Sequence, residues 1–322
     1  MSAKRPAAGA ASAILTALRP RRGLSERTKA AALGYLFILP AVLLFVVYFA
    51  WAIVRSFWIS FTNYKFLEPD TTRFVGLQNY ALALQDQWVI SGFAKAAYFA
   101  VLYFPGVVLF PFLVAVVLDR VQGRVTSSVY RTLMYIPATI PAALTFRLWN
   151  YMYRPTFGMF NVLLVDKLHL LDERPQWLIE DQLIYPPLAL MHWWWAIGSM
   201  TIFYLVALAG ISNELYEAAR LDGASELQLV RFVTLPLMRR TMLIWSLLNI
   251  SIFGIAAEML IMWGSIGGAP YFAWTWGYYA LTIGLATGKM PLGYATAIGW
   301  LSAIIMIGFA ALIYLLFSRE RD

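Results

Sequence analysis

Long apolar runs alternate with short polar intervals along this chain, at a spacing that fits helices crossing a bilayer. A crossing takes about 20 mostly apolar residues. Six stretches meet that demand: 30–54, 93–118, 128–152, 183–211, 241–263 and 292–317. Pro40, Pro105, Pro111, Pro137 and Pro141 fall inside them. Packed neighbours in a membrane re-satisfy the backbone groups that a proline frees. The polar intervals hold no stretch long enough for a soluble catalytic domain. The pattern predicts an all-α membrane protein with six transmembrane helices.

Ahead of the first run, Lys4, Arg5, Arg19, Arg21, Arg22, Arg27 and Lys29 stand among alanines, which predicts a disordered tail. A cleaved signal peptide competes with a retained span here, since Ala50-Trp51-Ala52 resembles a cleavage site. The apolar run is longer than the roughly 7–15 residues of a signal segment, and the basic lead is long, so a retained span is predicted.

Composition changes the picture little. The chain of 322 residues is 61% hydrophobic and 13% charged, where soluble domains carry about 25% charged residues. Its 13 Trp, 18 Tyr and 21 Phe suit aromatic belts at the membrane interfaces. With no cysteine, a disulfide framework or thiolate metal site is excluded. The net charge of +8 finds its explanation in topology, not in nucleic acid. Arg120, Arg124, Arg131, Arg220, Arg231, Arg239, Arg240, Arg319 and Arg321 join the basic tail on one side. Arg55, Lys65, Arg73, Arg154, Lys167, Arg174 and Lys289 fall on the other. The first set is larger and lies closer to the span ends, which makes that side cytoplasmic and places both termini there. The predicted division is a cytoplasmic basic tail over 1–29, a first membrane helix over 30–57, an external segment over 58–92, a membrane domain over 93–317 with a cytoplasmic loop at 212–236, and a cytoplasmic tail over 318–322.

That loop reads as two short helices joined by a sharp turn. Ser212 or Asn213 caps the first, and Glu214 and Glu217 lie near its positive end. Gly223 suits the left-handed position after it. Ser225-Glu226-Leu227-Gln228 fits a capping box for the second, and Pro236 is expected to end it at Leu235. An amphipathic surface connector with a solvated Glu217–Arg220 pair accounts for the same residues.

The run Glu217-Ala218-Ala219-x-x-Asp222-Gly223-Ala224, with Phe232 and Leu235-Pro236, resembles the EAA loop of binding-protein-dependent ABC importer permeases. Phe74-Val75-Gly76-Leu77-Gln78-Asn79-Tyr80, Tyr130-Arg131-Thr132-Leu133, Ile136-Pro137, Ile140-Pro141, Trp149, Phe157-Gly158-Met159-Phe160-Asn161 and Gly293-Tyr294-Ala295-Thr296-Ala297 resemble further elements of the carbohydrate-type permeases, in the same order. Ser265-Ile266-Gly267-Gly268-Ala269-Pro270 is similar to an external loop of that branch but lacks its threonine and splits Gly-Gly-Pro with Ala269. The resemblance is to the larger partner in maltose and glycerol-phosphate permease pairs. It implies a type I importer fold whose loop is a coupling helix seated in an ATPase, with Glu217, Ala218, Ala219, Asp222, Gly223 and Ala224 as coupling residues. It also implies a second homologous permease, two ATPase subunits carrying ATP and Mg, an external substrate-binding protein and a bacterial or archaeal inner membrane. No cofactor is implied for this chain, which would catalyse no covalent chemistry while passing a sugar or related polyol through an alternating-access cavity.

For the substrate path, a regular helix at about 100° per residue puts Ser246, Asn249, Phe253 and Ala256 on one face of the fifth span, with Ser251, Gly254 and Glu258 nearly opposite. The resemblance favours the Asn249 face, together with His192, Trp193, Trp195 and Ser199 of the fourth span. Aromatic rings suit the apolar faces of sugars, and Asn and His supply directional hydrogen bonds. An interfacial belt or plain packing explains Trp193–Trp195 as well, and Asn249 serves equally to bond a neighbouring helix. An ion-coupled secondary transporter is the alternative function; it needs midplane carboxylates, and only Glu258, off-centre, is a candidate. Gly284-Leu285-Ala286-Thr287-Gly288-Lys289 is one residue short of a P-loop and lacks the hydroxyl residue after its lysine. His169 and His192 have no metal-ligand spacing, and no nucleophilic triad is visible.

Overall fold

A computed structural model describes residues 22–121, 123–254, 270–286 and 292–318. Chain contacts divide it into two units, Met1–Trp58 and Ile59–Asp322. The first unit is a helical run: α1 (Arg22–Phe45), a wide π turn over Val46–Ala50, and the start of α2 (Trp51–Ser60). Among the described residues helix is already present at Arg22, ahead of the boundary expected at residue 30. Residues 24–29 contain no breaker and include Leu, Glu, Arg and Lys, whose straight side chains lose little freedom in a helix.

The second unit holds α3 (Gln78–Ala83), α4 (Gln87–Phe104) and α5 (Phe110–Asp119), the last two joined by a π turn over Pro105–Leu109. Next come α6 (Arg124–Thr139), α7 (Ala142–Met152), α8 (Tyr185–Leu208), α9 (Asn213–Leu221) and α10 (Glu226–Leu229). It closes with α11 (Leu235–Leu248), α12 (Trp276–Leu281) and α13 (Leu292–Ser318). Between the described residues the only extended pairing is the single bridge Thr62–Phe74.

Four described helices are long and apolar enough to cross a membrane: Leu33–Ser60, Gln87–Asp119, Tyr185–Leu208 and Leu292–Leu315. The span expected over 128–152 is instead two helices. Ile140 is extended (φ −80°, ψ 126°) because the ring of Pro141 bars it from the helical region. The span expected over 241–263 stops at Leu248, tightens into a 3-10 turn over Ile250–Gly254, and continues outside the described residues. The second span starts at Gln87, before the expected residue 93, because Asp86 caps it: its Oδ1 accepts from the Trp88 amide at 2.8 Å.

Apolar around its whole circumference, α8 packs one side on the rest of the bundle and leaves Leu190, Phe203 and Val206 exposed, as a helix that crosses a membrane can. One buried cluster gathers Phe99, Tyr103, Phe146, Trp149, Leu188 and Met191; another gathers Phe112, Ala115, Tyr204, Leu208, Met238 and Met242. Close approach depends on small residues. A Cβ on Gly198 would stand 2.0 Å from the Met134 carbonyl oxygen, so α8 and α6 touch backbone to backbone there.

Two of the family-like sequence elements act as clasps. Asn79 donates to the Ser60 and Thr62 carbonyls, both at 2.8 Å, and the Tyr80 and Ser60 hydroxyls lie 2.6 Å apart. Asn161 donates to the carbonyls of Pro155 (3.1 Å) and Pro175 (3.0 Å) and accepts from the Trp177 indole at 2.7 Å.

Candidate functional site: the polar loop and the membrane-buried aromatic cage

The loop forms the two capped helices that its residues specify. Ser212 Oγ accepts from the Glu214 amide at 3.3 Å, opening α9. At the other end Gly223 takes φ +82°. Its amide donates to Arg220 at 3.0 Å, and the Ala224 amide to Ala219 at 2.9 Å, the paired bonds of a Schellman closure. Ser225 and Gln228 complete their capping box, backbone to side chain, at 2.7 and 3.4 Å. Pro236 departs from expectation. It lies in the first turn of α11, where its missing N–H costs nothing, and the chain passes from α10 into α11 through a π turn over Val230–Thr234.

Glu217, Ala218, Asp222 and Gly223 are exposed; Ala219 and Ala224 are half-buried. Apolar side chains also project: Leu221 is 90% exposed and Leu227 77%. Underneath, the Tyr216 hydroxyl lies 3.1 Å from Thr234 Oγ1, tying α9 to the chain that enters α11. A recess of about 720 Å³ opens beside this contact, lined by Asp119, Arg120, Tyr216, Glu217, Arg220 and Glu226 among others. Arg220 does not pair with Glu217 as the surface-connector reading expected. It reaches Glu226 at 3.5 Å, and Arg120 meets the same carboxylate. Glu217 has no ion pair among the described residues.

The substrate-path candidates come together only in part. Asn249 is not inside a regular helix: it has φ −91°, ψ 4° and ends α11. Its backbone and side-chain amides both donate to Trp245 O, at 3.1 and 2.9 Å, a shared acceptor at the helix end. The regular helix expected to carry Ser246, Asn249 and Phe253 on one face ends at Leu248, while Ser246 and Phe253 still line one recess. Phe253 is buried against Phe309, ring centroids 4.3 Å apart. Ala256 and Glu258 lie outside the described residues.

His192 sits in an aromatic cage, with ring centroids 5.9 Å from Phe99, 5.3 Å from Tyr103 and 6.0 Å from Phe146. Its Nε2 is buried with no hydrogen-bond partner, as are Thr145 Oγ1 and Trp149 Nε1. The residue that links His192 to Asn249 is Tyr103, whose hydroxyl donates to Asn249 Oδ1 at 2.8 Å. Tyr103 was not singled out in the sequence; a tyrosine deep in an apolar span, two residues before Pro105, was the available signal. Trp193 donates to Leu102 O and covers Gly106, and Trp195 donates to Ile140 O, each bond 3.1 Å. The Trp195 bond takes up a carbonyl that the break at Pro141 leaves outside the helical ladder. Ser199 returns its hydroxyl to Ala196 O at 3.2 Å.

At the opposite end of the bundle, Asp86 Oδ2 accepts from Tyr279 and Tyr294, both at 2.7 Å. Burial pushes its pKa up, but these two hydrogen bonds and those from the Trp88 and Val89 amides outweigh it and hold the carboxyl below its ordinary value.

A helical membrane bundle that projects a doubly capped helix pair from between its helices α8 and α11 has the form of a transport permease. Comparison with known families bears this out over residues 80–321, which match the binding-protein-dependent transport system inner membrane component. The chain belongs to that family: it is a multi-pass permease of an ABC importer, whose ATPase is a separate subunit. A probable ABC transporter permease of Pyrococcus horikoshii is 32% identical over 201 residues, 62% of this chain and 68% of the relative. The trehalose/maltose transport system permease protein MalF of Thermococcus litoralis is 28% identical over 298 residues, 90% and 95% of the two chains. The diacetylchitobiose uptake system permease protein NgcF of Streptomyces coelicolor is 28% identical over 272 residues, 80% and 74%. A crystal structure of a bacterial ABC transporter involved in the import of the acidic polysaccharide alginate shares the fold, with TM-score 0.77 and 20% identity over 93% of this chain and 99% of that one.

Proposed function

We propose that this permease carries a sugar or related polyol, delivered by an external binding protein, through an alternating-access path, and that α9 with the turn after it is the surface seated on the ATPase. The observation that carries the coupling role is the exposed, doubly capped helix pair itself. Glu217 offers an unpaired carboxylate to a basic partner, Ala218 permits close approach, and Leu221 and Leu227 stay exposed at 90% and 77%. Asp222, Gly223 and Ala224 set the turn, and Ala219 accepts its closing bond. The named sugar permeases among the relatives favour the substrate class. A second homologous permease and two ATPase chains complete the assembly. The arginines around the loop, Arg120, Arg220, Arg231, Arg239 and Arg240, support a cytoplasmic loop and both termini inside.

For the path, Asn249 and His192 on either side of Tyr103 supply polar groups within an aromatic wall, and Trp193, Trp195 and Ser199 shape that wall from α8. Phe253, buried against Phe309, backs it. ATP-driven closure of the ATPases displaces the loop and opens the path outward to the docked binding protein; hydrolysis resets it inward.

Two experiments divide the proposal. Recovery of ATPase activity on purifying the tagged chain from membranes is expected for wild type and lost in Glu217→Lys; full recovery with that variant refutes the docking role. Identifying the ligand that co-purifies with the cognate binding protein tests the substrate class, and a ligand without a carbohydrate or polyol skeleton refutes it.

A further inference from the structure

We infer that Arg120, Glu226 and Arg220 form an ionic clasp through which the coupling loop moves the α4–α5 span, a membrane helix not adjacent to the loop in sequence. The inference rests on the coupling role proposed for the loop. Arg120 is the residue that ends α5, and Glu226 opens α10. One Glu226 oxygen, Oε2, meets Arg120; the other, Oε1, faces Arg220 of the last turn of α9 at 3.5 Å. A single carboxylate thus joins both loop helices to the end of a third element. The helices flanking the loop, α8 and α11, follow it because the chain connects them. α5 is not joined to the loop in sequence; it packs on α8 through Phe112, Ala115 and Leu118, and the clasp adds a direct link to the loop itself. Among the described residues the other ion pairs, Lys65–Glu68 and Arg174–Asp166, lie elsewhere and leave this clasp as the ionic link between α5 and the loop.

The far part of the same span reaches the substrate-path candidates. Tyr103, near the end of α4, bonds Asn249 at 2.8 Å and packs on His192. Seventeen residues separate Tyr103 from Arg120, about 25 Å along a helix at 1.5 Å per residue. Between them lies the π turn at Pro105–Leu109, a backbone irregularity of the kind that bends long helices. A displacement of Glu226 would therefore pull Arg120 and pivot α5 about that turn, beside the Tyr103–Asn249 contact. The three side chains keep 40–57% of their surface in water, so the link is weak, adjustable and screened by salt. Arg120 and Glu226 are positioning residues in this scheme: they touch neither substrate nor nucleotide.

The absence of cysteine allows a direct test. Spin labels at Val117→Cys and Leu312→Cys, both at exposed positions (64% and 51%), report the distance between α5 and α13 in the assembled importer. It is measured without nucleotide and after trapping with ADP and vanadate. The wild type is expected to shift between the two states. Arg120→Ala and Glu226→Gln should reduce the shift about two- to fivefold, the range that exposed ion pairs support. Arg120→Lys should restore it, and about 1 M salt, where the Debye length is about 3 Å, should shrink it in wild type and Arg120→Lys but not in Arg120→Ala or Glu226→Gln. An unchanged shift in Arg120→Ala with the ATPase still bound overturns the clasp while leaving the coupling role intact. Loss of ATPase binding in both Arg120→Ala and Glu226→Gln also overturns it, by assigning these ions to docking. Wild type that shifts nowhere and binds no ATPase defeats the underlying coupling role instead.

Discussion

Gly223 gives the sharpest test of whether the loop's shape, and not only its composition, serves the ATPase. At φ +82° the residue occupies the left-handed region, while a Cβ built there would meet nothing within 4 Å. Substitution is therefore penalised by backbone conformation alone, with no clash to confuse the reading. An alanine in that region costs about 1–2 kcal/mol, and asparagine visits it more readily. One or two kcal/mol changes a population by a factor of about 5–30. Proline is worse on two counts. It locks φ near −65°, and it deletes the amide that bonds Arg220 at 3.0 Å, a loss of about 0.5–1.5 kcal/mol by itself. The assay is the fraction of membrane-inserted chain that carries ATPase activity through purification, with total inserted chain measured separately. Gly223→Asn should stay near wild type, Gly223→Ala should fall about 5–30-fold, and Gly223→Pro should fall furthest, all with normal insertion. If the proline variant retains wild-type ATPase association, or alanine and asparagine behave alike, the left-handed turn is not what the partner reads.

Other expectations separate packing from transport. Asn249→Leu should lower uptake and cost about 0.5–1.5 kcal/mol by removing the hydrogen bond from Tyr103; Tyr103→Phe removes the same bond from the other side, so uptake lost in the first variant but kept in the second at equal melting temperature marks Asn249 as a substrate contact, and equal losses mark it as structural. Gly198→Ala should destabilise the bundle by about 1–3 kcal/mol through overpacking against Met134, read as a lower melting temperature in detergent; no change would deny the backbone contact between α8 and α6. Because the Asp86 carboxyl is held below its ordinary value of 3.8, its contribution to stability is complete above that pH and is lost as pH falls through the depressed folded value. Asp86→Asn should thus melt earlier than wild type at neutral pH, with the gap closing below about pH 4; a gap independent of pH would show that the carboxylate charge is irrelevant.

Much of the loop was legible because its determinants are local. Ser212, Gly223 and the Ser225–Gln228 box act on amides within a few residues of themselves, so type and spacing alone foretell the bonds. The membrane class was legible for a related reason: crossing length and apolarity belong to each segment and need no partner. The family resemblance rested on the same short stretches.

What lay outside the sequence's reach were the relations between segments distant in the chain. Asn79 and Asn161 stood in the sequence only as members of family-like elements; their amides close on carbonyls that only the folded loops bring near. Asn249 was assigned a helical face, but the regular helix ends one residue before it. Trp195 found a carbonyl exposed by a proline on another helix, Tyr103 became the bridge between His192 and Asn249, and Arg220 chose Glu226 over the closer-numbered Glu217. By itself the sequence determined that the chain is a membrane-spanning helical permease and how its polar loop begins, turns and caps. The tertiary structure decided which polar groups face one another, because hydrogen bonds and ion pairs act over a few ångströms in space and are indifferent to separation along the chain.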